Sequence, residues 1–176
     1  DIYLAKLNPD GSFAWSKSFG SKHFDGNTSL SLHESGSLVL TGRFKGELVS
    51  DDSTITSESN NHSIFITKTA PTGETEWITQ AGKDNEILYP TGITSFQDGA
   101  VAVSGFFIGE LSFDELEKVE SKGDRDIFVA KINSDGTFNR NEKEKVEDQV
   151  LYGDEAAIPT ADVLAGSGGN DKLYGL

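Results

Sequence analysis

The residues best suited to chemistry lie in GSGGNDKLYGL at positions 166–176. Their spacing fits the nine-residue pattern G-G-x-G-x-D-x-U-x, in which U is a large apolar residue. Gly166 takes the first position, Ser167 the second, Gly169 the fourth, Asp171 the sixth and Leu173 the eighth, and Gly175 opens the next repeat. This pattern suits a hard cation. Glycine lets the backbone curl so that successive carbonyls point inward, the Asp adds a carboxylate, and the apolar residue returns the chain to a short strand. Calcium takes about six to eight such oxygens. Nine residues upstream, Asp162 and Leu164 hold the same Asp and apolar positions, but AAIPTA stands where glycines would be.

Other constellations are weaker. Cys is absent, which excludes thiolate catalysis and Cys-ligated zinc. His23, His33 and His62 are scattered and lack metal-ligand spacing. Asp51-Asp52 and the stretch 114–120 place carboxylates in expected loops, yet no spacing selects a glycosidase pair, and solvated loops are the simpler reading. The PDG and SDG triplets at 9–11 and 134–136 lack the alternating oxygens and terminal Glu of a full calcium loop, so turn chemistry explains them better. With 29 acidic against 15 basic residues the net charge is −14, which argues against nucleic acid or an anionic membrane surface as partner. No apolar run is long enough to span a bilayer. The chain contains no Met, so its N-terminus reads as a cut or processed end.

The elements that would position these residues repeat. DIYLAKLNPDGSF at 1–13 matches DIFVAKINSDGTF at 126–138, with a weaker copy in SIFITKTAPTGETEW at 63–77. GSLVLTGRFKGEL at 36–48 matches GAVAVSGFFIGEL at 99–111 in the same phase. The unit is therefore 62–63 residues, and the chain holds about two and a half of them. Where a third Trp is due, the sequence runs NRNEKEKVEDQ after Phe138.

Each unit reads as two hairpins, giving four short strands. The spans 2–19 and 64–80 turn at Gly11 and Gly73, with Gly136 at the same place in the third copy. The spans 29–44 and 92–107 turn before Gly36 and Gly99. In IYLAKL both alternating sets are largely apolar, as expected of sheets stacked on both sides. Trp15 and Trp77 fit as wedges between such sheets, a core role in preference to a ligand platform. Periodicity alone also allows another stacked β array.

The repeat over residues 1–138 resembles the bacterial seven-bladed β-propeller repeat of large exported proteins, through its DIFVAK…DG…W…G and G…V.V.G.F.G blocks. That resemblance implies an all-β fold, an incomplete propeller-like array of four-stranded blades. Such an array needs further blades, from the same or a second chain, to close a ring of about four to eight. After an acidic linker at 139–161, the tract from 162 to 176 resembles the start of RTX, or hemolysin-type, repeats and implies a β-roll-like tail that binds Ca2+. Carried over residue by residue, the matching positions are Asp171 and the backbones of Gly166, Gly168 and Gly169, with Asp162 a weaker one. The two resemblances together imply an extracellular protein exported by type I secretion. They imply a non-enzymatic structural or adhesive module, facing other blades, a cell-surface glycan or a protein. The alternative is the propeller of a secreted glycan-active hydrolase, or a carbohydrate-binding propeller.

Overall fold

A computed structural model describes residues 1–57, 62–82, 87–113 and 118–138, together with the backbone of 164–165. The chain is all-β. In order the strands are β1 (Ile2–Leu7), β2 (Phe13–Phe19), β3 (Gly26–Leu32), β4 (Leu38–Phe44), β5 (Glu47–Ser50), β6 (Ser53–Thr56) and β7 (Ser63–Thr69). There follow β8 (Thr75–Ala81), β9 (Ile87–Ser95), β10 (Val101–Ile108), β11 (Glu110–Leu111), β12 (Val119–Glu120), β13 (Asp126–Ile132) and β14 (Leu164–Ala165).

The expected hairpins form. β1 pairs with β2, β3 with β4, β7 with β8 and β9 with β10, all antiparallel. The turns of the first kind of hairpin share one geometry. The amides of Gly11, Gly73 and Gly136 each donate at 2.9 Å to the carbonyl three residues back, and their φ values are +82°, +100° and +85°. That left-handed conformation is open to glycine at little cost.

The hairpins combine out of phase with the sequence unit. One four-stranded sheet has the order β3-β4-β7-β8, so it joins the second hairpin of one unit to the first hairpin of the next. The other runs β9-β10-β13-β14 in the same way. Between β4 and β7 the chain makes a small ribbon, β5-β6, and between β10 and β13 a shorter one, β11-β12. Asp51-Asp52 are exposed, as expected, and form the tight turn of the first ribbon, with Asp51 at φ 51°. Asp is among the few side chains that enter this region readily.

The sheet β3-β4-β7-β8 lies between two others. On one face Leu40, Phe44 and Phe65 pack with Ile2 and Phe19 of β1-β2. On the opposite face Val39, Ile64 and Ile66 join the core built by β9, β10 and β13. This sandwiching makes β7 buried along almost its whole length. Phe65 meets Phe19 edge-on at 5.8 Å, and Phe128, its counterpart one unit later, meets Phe113 at 5.7 Å. Each lies opposite a mid-strand glycine, Gly42 for Phe65 and Gly105 for Phe128. β1 differs from the expectation for IYLAKL. Ile2 and Leu4 are buried, but Tyr3 and Leu7 are exposed, because no sheet among the described residues covers that side.

Candidate functional site

Among the described residues, the joints between successive sheets recur with constant geometry. In the first joint the Trp15 indole N–H donates to the Pro71 carbonyl at 3.0 Å, and the ring lies flat against Gly73. A Cβ on Gly73 would sit 3.0 Å from the ring. In the second joint the Trp77 indole N–H donates to the Ser134 carbonyl at 2.9 Å, and a Cβ on Gly136 would come within 2.7 Å of that ring. Gly73 and Gly136 thus serve twice, once for the turn and once for the approach of an aromatic. Gly11 has the same φ but no neighbour within 4 Å of its Cβ position. Trp15 and Trp77 are therefore clamps rather than plain wedges, with a flat ring on glycine and a directed hydrogen bond.

A second tie sits at the far end of each Trp-bearing strand. Val49 of the β5-β6 ribbon bridges to Gly20 just after β2. In the next repeat Phe113 bridges to Ala81, and the Gly82 amide donates to the Ser112 carbonyl at 2.9 Å. The ribbons therefore reach back to the preceding sheet. Sequence reasoning missed this role, since a four-residue strand in a Ser/Thr-rich loop carries little apolar signal.

Charge reinforces the first joint. Lys17 of β2 reaches Asp51 at 2.7 Å and the Thr75 hydroxyl at 2.7 Å, and the Thr75 amide donates to Asp51 at 2.8 Å. The Lys17 hydrogen bond, with that of the Thr75 amide, holds the Asp51 carboxyl at about 2, below the usual 3.8. A folded value below the unfolded one means that the stabilisation is present above the unfolded pKa. It fades as pH falls from 3.8 towards 2. Acid titration of unfolding midpoints is expected to show this. Asp51→Ala should lower stability at pH 6 and flatten the profile between about pH 4 and 2. Unchanged profiles would remove Asp51 from the joint.

The Asp residues of the PDG and SDG triplets are occupied locally. Asp10 accepts the Ser12 amide at 2.9 Å and its hydroxyl at 2.6 Å, and Asp135 accepts the Thr137 amide at 3.0 Å and its hydroxyl at 2.6 Å. Both carboxyls are lowered, first by the side-chain hydroxyl and then by the amide. His33 shares its Nδ1 with Ser35 at 2.8 Å, and burial lowers His62. Arg43 is buried, with its guanidinium 3.8 Å from the centre of the Tyr89 ring. No group of three or more His, Cys, Asp or Glu that could hold a metal occurs among the described residues.

The proposed calcium positions Asp162, Gly166, Gly168, Gly169 and Asp171 lie outside the described residues. Between them, Leu164–Ala165 pairs antiparallel with β13, Leu164 opposite Val129 and Ala165 opposite Phe128. One repeat earlier, Phe65 and Ile66 of β7 pair with Gln80 and Thr79 of β8. The two residues from the tail therefore take the lane that the Trp-bearing strand holds in the preceding sheet.

No protein-family model matches the chain, and no curated protein matches it.

Proposed function

We propose that the chain is a structural or adhesive module of a large secreted bacterial repeat protein, a run of propeller-type blades leading into a calcium-dependent tract. The observation that carries this reading is the recurrence of one joint, Trp15 on the 70–73 turn and Trp77 on the 133–136 turn. Hydrogen-bonded joints at a fixed repeat fit an element that transmits position along an array. The acidic balance suits a surface that attracts cations, and without Cys a secreted fold of this size relies on its core, on ions or on neighbouring repeats.

The tail supports the calcium half of the proposal through its donors. Glycine-freed carbonyls around Gly166, Gly168 and Gly169 and the Asp171 carboxylate are hard oxygens, the class calcium selects. Without an ion the carboxylates repel and the glycines lose much conformational entropy on ordering, so binding and folding of the tract are coupled.

The test is hydrogen exchange on a chain that carries further nonapeptide turns after Leu176. Millimolar calcium should protect 162–176, chelator should expose it, and 29–107 should change little. Asp171→Ala should abolish most of that protection, whereas Asp10→Ala, in a turn with its own hydroxyl partner, should not. If calcium at millimolar concentration neither binds nor protects, the cofactor assignment falls.

A further inference from the structure

We infer that the outward face of β1-β2 is a docking surface for one more sheet of the same repeat, which delivers a tryptophan onto the turn Asn8–Gly11. The inference rests on the stacked-array reading and adds a specific occupant to it.

Three sets of equivalent positions carry it. Tyr3 corresponds to Phe65 and Phe128; the latter two are fully buried, whereas Tyr3 is 68% exposed. Leu7 corresponds to Thr69 and Ile132, at 2% and 0%, yet Leu7 is 62% exposed. Phe13 corresponds to Phe138, at 7%, and is 62% exposed. In the later repeats this face is covered by the preceding sheet, so the first repeat presents the same face uncovered.

The turn beside it presents the matching socket. Gly11 has the left-handed φ of Gly73 and Gly136, and space stands open where a tryptophan ring rests on each of those two. The Pro9 carbonyl, at the position of the acceptors Pro71 and Ser134, accepts no hydrogen bond among the described residues. The face is thus continuous in kind with two joints already formed, and its missing part is an indole.

That identifies the occupant as a Trp-bearing sheet beyond those of this chain. The chain has two tryptophans, and both are engaged in its own joints. A second copy offers the far face of its last sheet, where Ile127 is 61% exposed, but that sheet brings no tryptophan from β13. Such a copy would cover the apolar face and leave the socket empty.

Thiol labelling reads this directly, because the chain has no Cys. Leu7→Cys is labelled in the chain as it stands and in a chain extended at its N-terminus by an additional copy of residues 1–62. The junction of His62 to Asp1 then mimics that of His62 to Ser63. Labelling of the thiol introduced at position 7 of the original copy should slow at least about tenfold on extension, and Trp15→Ala in the added copy should restore most of the rate. Thr69→Cys, the covered equivalent, is the control. If it labels as fast as the exposed Leu7→Cys variant, the stacked array itself is wrong. If it is slow while extension leaves the Leu7→Cys thiol fast, the array stands and the docking surface falls. Protection of that thiol in the unextended chain that grows with protein concentration would make a second copy the occupant and overturn the assignment to a Trp-bearing sheet.

Discussion

Gly105→Ala is expected to cost about 3 kcal/mol or more and to lower the urea midpoint accordingly. Gly105 lies mid-strand in β10, between Pro90 of β9 and Phe128 of β13. A Cβ there would run into the Tyr89 carbonyl and come within 2.6 Å of the Phe128 ring. The carbonyl belongs to a paired strand and cannot swing away. The ring is fully buried and held by Phe107 and Phe113. Neither obstacle can relax alone, so strain spreads into the core. Gly11→Ala is the contrast, with no steric neighbour and only the left-handed backbone to oppose it, worth about 1–2 kcal/mol. Against a total of about 5–15 kcal/mol the first is severe and the second tolerable. Equal losses for the two would mean that Phe128 does not cross β10 at Gly105.

Trp77→Ala is expected to cost about 3 kcal/mol, near the lower end for a large aromatic because the ring is only partly buried. The loss combines apolar contact with the third sheet and the hydrogen bond to the Ser134 carbonyl. Trp77→Phe separates them. It keeps most of the ring against Gly136 and removes the donor, so about 1 kcal/mol should go. Hydrogen exchange should place the weakening between the second and third sheets and leave β1-β2 nearly unchanged. A loss below about 0.5 kcal/mol for the alanine variant would put Trp77 among ordinary surface positions.

How much of this was legible in the sequence depends on the range of each interaction. The hairpin turns at Gly11, Gly36, Gly73 and Gly99 are set by neighbouring residues, and the sequence announces them. The two-sided burial of β7 shows in the apolar run SIFIT. Which hairpins share a sheet does not show. β4 pairs with β7 across the β5-β6 ribbon, and no local pattern in residues 45–62 encodes that reach. The joints were half legible. Trp15 and Trp77 stood out by type and spacing, but their acceptors are carbonyls of Pro71 and Ser134, positions whose side chains give no hint. The exposed side of β1 reads as buried in sequence, because its residues match those of copies that have a neighbour. The calcium positions stay where the sequence left them, since they fall outside the described residues.

Because the acceptor in each joint is a peptide carbonyl, proline serves at one and serine at the other. Any residue that tolerates the turn supplies the same oxygen. The joint itself therefore asks for few letters: an indole, a glycine, and a separation of 56 residues in one case and 57 in the next. The side chain that carries the acceptor is free to differ between copies. Two such repeats can differ at that residue and still fit the same neighbour.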